Sequence, residues 1–152
     1  DAVATGLSGF APVKGRLQLK AGQGGGRIID DTYNANPDSV RAAIDVLAQG
    51  APGGLRVLAL GDMGEVGSQG PDFHAEIGAY ARERGVAQLL AAGELCRHAV
   101  QAFGEGGKHF ASVDDLTEAL RRLDVAGATV LVKGSRFMRM ERAVRALTGE
   151  DA

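Results

Sequence analysis

The sequence predicts the α/β class, in the form of a doubly wound, mostly parallel sheet with helices on both faces. Two observations carry that expectation. The runs Leu55-Arg56-Val57-Leu58-Ala59-Leu60 and Ala128-Thr129-Val130-Leu131-Val132 have strand length and are almost continuously apolar, which suits strands covered on both sides. Such runs alternate with segments whose apolar residues recur at helical spacing, and strands alternating with helices call for right-handed crossovers and parallel pairing. A length of 152 residues suits one domain of about 100 to 200 residues. Twenty-three glycines, about twice the usual share, imply tight turns at the joints.

The elements follow in order. From Gly6 to Gly26 the chain is rich in glycine, alanine and short turns, the composition of a linker, except that Gly15-Arg16-Leu17-Gln18-Leu19-Lys20 alternates like a short exposed strand. Arg27-Ile28-Ile29-Asp30-Asp31 is an apolar burst ending in two carboxylates, and it predicts a strand running into a loop. Asn36 suits an N-cap and Pro37 the first helical position, with Val40, Ala43, Ile44 and Leu47 giving a helix over about 37–49 that Gly50 stops. After the strand at Leu55–Leu60, Phe73, Ile77, Tyr80 and Ala81 mark a helix, and Gln88-Leu89-Leu90-Ala91-Ala92 a strand. Leu95, Ala99 and Ala102 mark a further helix, and His109-Phe110-Ala111 a weak strand. Ser112 and Asp115 resemble a capping box before the stripe Leu116, Ala119, Leu120, Leu123. The strand at Ala128–Val132 precedes a last helix carrying Met140, Ala143, Val144 and Leu147.

Composition narrows the function classes. Apolar residues at 45% and charged residues at 24% match a soluble globular chain and exclude a charged coiled coil. A net charge of −2 gives no general attraction to nucleic acid or to anionic membranes. The single Cys96 forms no internal disulfide and no run of about 18 apolar residues occurs, so a cytoplasmic, reducing location without membrane insertion is expected. The chain opens on Asp1 with no signal core behind it, and the expectation is that a natural beginning has been cut away.

In doubly wound sheets ligands sit beyond the carboxyl ends of strands, and three such loops stand out. In Asp30-Asp31-Thr32-Tyr33-Asn34-Ala35-Asn36-Pro37, carboxylates, amides and an aromatic ring meet at a helix N-terminus, a mix able to bind a nucleoside. The plainer alternative makes Asn36 a cap and Asp31 a turn former. Gly61-Asp62-Met63-Gly64-Glu65-Val66-Gly67 places Asp62 and Glu65 on a glycine-rich loop, suited to magnesium through water or to a substrate amine, or else simply to a turn with solvated acids. Lys133-Gly134-Ser135-Arg136 is a cationic loop before a helix, suited to a carboxylate or phosphate; the G-x-x-x-x-G-K of a phosphate loop is missing, because Val132 still lies inside the strand. His74 and Glu76, two apart on a helix, are expected to be solvated or capping rather than a metal pair, and no metal site is assigned. Arg136, Arg139, Arg142 and Arg145 read as a solvated helix side, and His98, His109 and Cys96 receive no chemistry.

The segments Asp30–Ser39, Leu60–Gly67 and Val132–Arg136, with Met140-Glu141 and the opening Gly15-Arg16, together resemble the C-terminal domain of the Mur ligase family from about Phe10 to Leu147. Gly15-Arg16 is similar to the Gly-Arg that opens this domain in the Mur ligases and the related folylpolyglutamate synthetases. The resemblance is to the branch that joins D-alanyl-D-alanine to UDP-N-acetylmuramoyl-tripeptide in peptidoglycan synthesis. It implies a Rossmann-like domain over residues 16–149, with residues 1–15 a linker from a central domain that holds the phosphate loop. An N-terminal domain holds the uridine nucleotide, and the enzyme is an ATP-dependent amide ligase acting through an acyl phosphate with Mg2+ bound mainly by the central domain. By the same resemblance Asp31 takes the ribose, Asn34 lies beside adenine, Tyr33 and Asn36 shape the pocket, and Arg16 reaches the nucleotide phosphates. Lys133, Ser135 and Arg136 receive the dipeptide carboxylate, with Asp62 and Glu65 near its amine. Gly64 and Val66 stand where the family pattern has leucine, which implies a looser loop. The fragment is expected to be a monomer and inactive alone. The competing reading is a stand-alone Rossmann-like module that senses a nucleotide without catalysis.

Overall fold

The computed structural model of the chain describes residues 17–22, 26–33, 35–50, 55–64, 66–123 and 128–149. The chain order is β1 (Gln18–Ala21), β2 (Arg27–Asp31), α1 (Pro37–Gly50), β3 (Leu55–Gly61), α2 (Gly70–Glu83), β4 (Gln88–Ala92), α3 (Cys96–Phe103), β5 (Gly107–Phe110), α4 (Val113–Arg122), β6 (Ala128–Lys133) and α5 (Glu141–Thr148). The strands form one six-stranded sheet in the order β1-β2-β6-β3-β4-β5. All neighbours are parallel except β1, which runs antiparallel to β2 at the edge. The predicted class holds, and the short exposed strand expected near residues 15–20 is β1 at Gln18–Ala21, with Leu19 exposed and Gln18 and Lys20 half-buried, the reverse of an apolar-inward alternation. The expected linker over residues 1–15 lies outside the described residues.

Two cores separate along the pleat. Ile29, Leu58, Leu60, Leu89, Ala91 and Leu131 face α1, α2 and α3, whereas Ile28, Val57, Ala59, Leu90, Val130 and Val132 face α4 and α5. Successive strand residues point to opposite faces, so continuous apolar runs are needed where both faces are covered, and each fully buried Leu or Ile contributes about 1.5–3 kcal/mol. The chain steps outward through β3, β4 and β5 with α1, α2 and α3 on one face. It returns over the other face through α4, and β6 inserts between β2 and β3. Right-handed crossovers force that change of face when the direction of travel reverses. The exit of β6 therefore leads to the face opposite those taken after β2 and β3, the arrangement that in doubly wound sheets opens a crevice at the carboxyl ends of such strands.

Local signals set the boundaries. The Asn36 side-chain oxygen accepts from the Ser39 amide at 2.9 Å, and the Ser39 hydroxyl accepts from the Asn36 amide at 3.0 Å, a reciprocal cap on α1. Ser112 Oγ accepts from the Asp115 amide at 3.1 Å, as its spacing predicted. Ser112→Ala is expected to cost about 1 kcal/mol in urea unfolding, with the denaturant slope unchanged. Three expectations shift. The buried stripe of α3 is Cys96, Ala99 and Phe103, with Ala102 exposed, because the helix is rotated by one position from the predicted face. Strand β5 spans Gly107–Phe110 and leaves Ala111 outside. The buried stripe of α2 is Gly70, His74, Ile77, Gly78 and Ala81, with Phe73 and Tyr80 only half-buried at its flanks.

Candidate functional site

Each of the three loops singled out in the sequence arrives at the β2–β6–β3 crevice. Register does the first part of the work, since Lys133 on β6 is the partner of Asp31 on β2 and also of Leu60 on β3. In a parallel pair, register partners project to the same face, and the Lys133 ammonium donates to Asp31 Oδ2 at 2.7 Å. The Lys133 side chain is 2% exposed and that of Asp31 10%. Neither charge is tolerable at that depth without the other. The Leu17 amide donates to Asp31 Oδ1 at 3.3 Å and ties the carboxylate to the entry of β1. Of the two adjacent carboxylates, Asp30 points to the other face. It accepts from Lys20 at 3.1 Å and from the Thr32 hydroxyl at 2.7 Å, and so closes the turn.

Across the crevice Tyr33 and Arg136 meet, the guanidinium lying 5.1 Å from the ring centroid. Tyr33 is 39% exposed, so the stacked pair forms part of the crevice surface, with the more exposed Phe137 following Arg136. The Asn36 side-chain oxygen is engaged in the α1 cap. Of the other sequence candidates Arg16, Asn34 and Glu65 lie outside the described residues.

Asp62 is held from three sides. Its carboxylate accepts from the amides of Leu95 at 3.1 Å and Cys96 at 2.9 Å, which caps the start of α3. Its backbone carbonyl accepts from Ser135 through the amide at 3.0 Å and the hydroxyl at 2.6 Å. Gly93 makes the first contact possible. Its φ is 111°, and a Cβ there would lie 2.3 Å from Asp62 Oδ1. At Gly134 a Cβ would lie 2.7 Å from Met140 Cγ and 3.1 Å from the Gly61 Cα, so β3 and β6 close on each other through two glycines. Gly64, where the family pattern has leucine, has Ser135 Cβ and Phe137 Cε2 at 3.4 and 3.5 Å from the position a Cβ would take.

Sequence reasoning missed His74. Expected to be solvated or capping, it is wholly buried: its Nε2 accepts from the Met63 amide at 3.0 Å, and its Nδ1 donates to the Gly70 carbonyl at 2.7 Å. The signal was its place three residues before Ile77 on the inward stripe of α2. Burial pushes this imidazole below its ordinary pKa, with the Gly70 carbonyl and Asp62 opposing and His98 adding to the fall. Glu76, by contrast, is exposed and pairs with Arg41 of α1 at 2.7 Å. Asp62, His74 and Cys96 bring their ligand atoms within 4.8 Å of one another. The groups a metal ion would take already have hydrogen-bond partners within the protein. Asp62 caps α3, His74 holds Met63, and Cys96 Sγ donates to the Leu60 carbonyl at 3.7 Å. Burial, and then Asp62, hold the thiol well above its ordinary value, in its protonated form. The cluster is a junction of hydrogen bonds between β3, α2 and α3.

Comparison with known proteins agrees with this architecture. Residues 15–136 match the family described as Mur ligase, glutamate ligase domain. The UDP-N-acetylmuramoyl-tripeptide–D-alanyl-D-alanine ligase of Escherichia coli K12 is 41% identical over 155 residues, covering 97% of this chain and 32% of the relative. A crystal structure of MurF from Acinetobacter baumannii superposes with a TM-score of 0.82 at 32% identity, covering 95% of this chain and 33% of that one. The MurF ligase of Thermotoga maritima in complex with ADP gives a TM-score of 0.77 at 25% identity, with the same coverage. The chain thus spans about a third of the length of these relatives. With the match extending from the entry of β1 through the Lys133-Gly134-Ser135-Arg136 loop, the chain belongs to the Mur ligase family, as its C-terminal, glutamate ligase domain.

Proposed function

We propose that this domain is the C-terminal part of an ATP-dependent amide ligase that joins D-alanyl-D-alanine to UDP-N-acetylmuramoyl-tripeptide in peptidoglycan synthesis. In this reading the phosphate loop and the uridine site belong to central and N-terminal domains of a longer, monomeric cytoplasmic chain. The γ-phosphate of ATP passes to the terminal carboxylate of the tripeptide, which forms an acyl phosphate and releases ADP. The dipeptide amine then attacks the acyl carbon, and inorganic phosphate leaves from the tetrahedral intermediate. The names of the relatives support the reaction, and the ADP complex of the Thermotoga relative supports the nucleotide.

The observation that carries the reading is the crevice at β2 and β6, where a carboxylate held by Lys133 lies beside a half-exposed Tyr33–Arg136 stack. Asp31 is fixed with one oxygen on Lys133 and the other on the Leu17 amide, and a carboxylate's remaining lone pairs suit the two ribose hydroxyls. The flat Tyr33 ring, backed by Arg136, suits the face of a purine. Asn34 beside adenine and Arg16 at the phosphates complete the nucleotide side by resemblance, and Asn36 shapes it through the α1 cap. On the other side Arg136, at the turn before α5, suits the dipeptide carboxylate, and Ser135, whose amide and hydroxyl both donate to the Asp62 carbonyl, holds that turn in place. Lys133 adds positive field there while neutralising Asp31, and Asp62 and Glu65 do the reverse near the amine. The described residues do not fit Mg2+. Asp31 is engaged by Lys133 and Asp62 by two backbone amides, so no step here runs through the metal, which this reading leaves to the central domain.

In the full-length ligase, Asp31→Asn is expected to raise the KM for ATP about tenfold or more while the KM for D-alanyl-D-alanine moves less than the ATP value, because a charge-assisted acceptor of ribose is lost. Steady-state kinetics with each substrate varied in turn will decide it; an unchanged KM for ATP sinks the nucleotide assignment. The 152-residue chain alone is expected to release no phosphate from ATP.

A further inference from the structure

We propose that His74 is a positioning residue for the dipeptide side of the crevice, acting as a neutral Nδ1–H imidazole that fixes the peptide group between Asp62 and Met63. The substrate named rests on the reading above; the coupling described next does not. One peptide unit carries the whole connection. Its N–H, on Met63, donates to His74 Nε2 at 3.0 Å, and its carbonyl, on Asp62, accepts from the Ser135 amide at 3.0 Å and hydroxyl at 2.6 Å. A buried histidine on α2 and a serine on the β6 loop thus hold opposite ends of the same rigid plane.

The tautomer is dictated by its neighbours. The Gly70 carbonyl needs a donor from Nδ1, and the Met63 amide needs an acceptor on Nε2. Protonation turns Nε2 into a donor facing another donor. The Met63 amide is then left without its acceptor in a buried place, and the peptide plane must turn to find one. Turning it moves the Asp62 carbonyl away from Ser135. The side chain of Asp62 remains anchored on Leu95 and Cys96, so the rotation is confined to the loop and does not pass into α3.

The titratable groups bearing on His74 are Asp62 from the β3 exit, which favours the charged imidazole, and His98 of α3, which disfavours it. Cys96, also of α3, keeps its proton. Burial outweighs Asp62 and holds the imidazole neutral at pH 7. With the folded value depressed, the unfolded chain takes up a proton first as pH falls below about 6.5. Stability is therefore full above that value and declines until the folded imidazole is itself protonated.

Two variants and one spectroscopic measurement test the proposal. Glutamine at this position offers an acceptor and a donor but does not titrate; leucine offers neither. In the full-length ligase the KM for D-alanyl-D-alanine is expected to rise as pH falls through the acid range below the ordinary imidazole value, and His74→Gln is expected to flatten that rise. His74→Leu is expected to raise the same KM about tenfold at pH 7.5, with the KM for ATP changed less than twofold. Equal movement of both KM values, or no movement in a folded His74→Leu protein, overturns the proposal. On the 152-residue chain, 15N NMR is expected to show His74 protonated on Nδ1 and bare on Nε2, with the Met63 and Ser135 amide signals shifting together through its titration. The opposite tautomer, or a Met63 shift without Ser135, overturns the coupling. If the coupling is seen but the unaltered ligase does not use the dipeptide, the functional reading fails and the positioning role stands.

Discussion

Lys133→Met is expected to lower the unfolding free energy by about 3–5 kcal/mol, and Asp31→Asn added to it is expected to restore much of that loss. The two side chains meet at 2.7 Å with almost no exposure, so removing Lys133 leaves the Asp31 carboxylate buried without its counter-charge. Removing both charges replaces the pair by groups that need much less from their surroundings. A double-mutant cycle by urea unfolding measures the coupling, and singles that add without interaction would show the pair to be incidental. The kinetic consequence is as sharp. Sequence reasoning gave Asp31 to the nucleotide and Lys133 to the dipeptide as separate duties, whereas register joins them. In the ligase reading, Lys133→Met should therefore disturb the KM for ATP as Asp31→Asn does, in addition to any effect on the dipeptide.

Gly78→Ala is expected to cost about 3 kcal/mol, at the upper end for overpacking by a single methyl group. A Cβ at Gly78 would lie 2.0 Å from the Ala99 carbonyl oxygen and 2.8 Å from its carbon, and both belong to the backbone of α3. No side-chain rotation relieves such a contact; α2 and α3 must move apart, and Ile77, Ala81, Ala99 and Phe103 between them lose their packing. Gly64→Ala is the control, because a Cβ there meets only ordinary contacts at 3.4 Å and beyond and should leave the unfolding midpoint nearly unchanged. Calorimetric melting of the two variants side by side tests the contrast. Equal stability of both would mean that the helices are free to adjust.

The fold was legible because a covered parallel strand has no polar face to hide: Val57-Leu58-Ala59-Leu60 and Val130-Leu131-Val132 announce themselves without any knowledge of their neighbours. Caps were legible for the same local reason, as Ser112 and Asn36 show. Strand order was not, since nothing within Ala128–Lys133 states that it lies between β2 and β3. That is also why the Asp31–Lys133 pair, 102 residues apart, was found as two loop residues and not as one unit. His74 was misjudged because its helical neighbour Glu76 drew attention to a metal pair. The informative relation was to Ile77 on the inward stripe, which marks burial rather than coordination.

The position of β6 in the middle of the sheet has a consequence for biosynthesis. A ribosome delivers the central strand of this sheet after every strand that flanks it, so until then β2 and β3 have no shared neighbour and their apolar rims stand open to water. Nascent chains halted before Ala128 should thus be clients for chaperones, and the domain should acquire its native form late and in a single cooperative step.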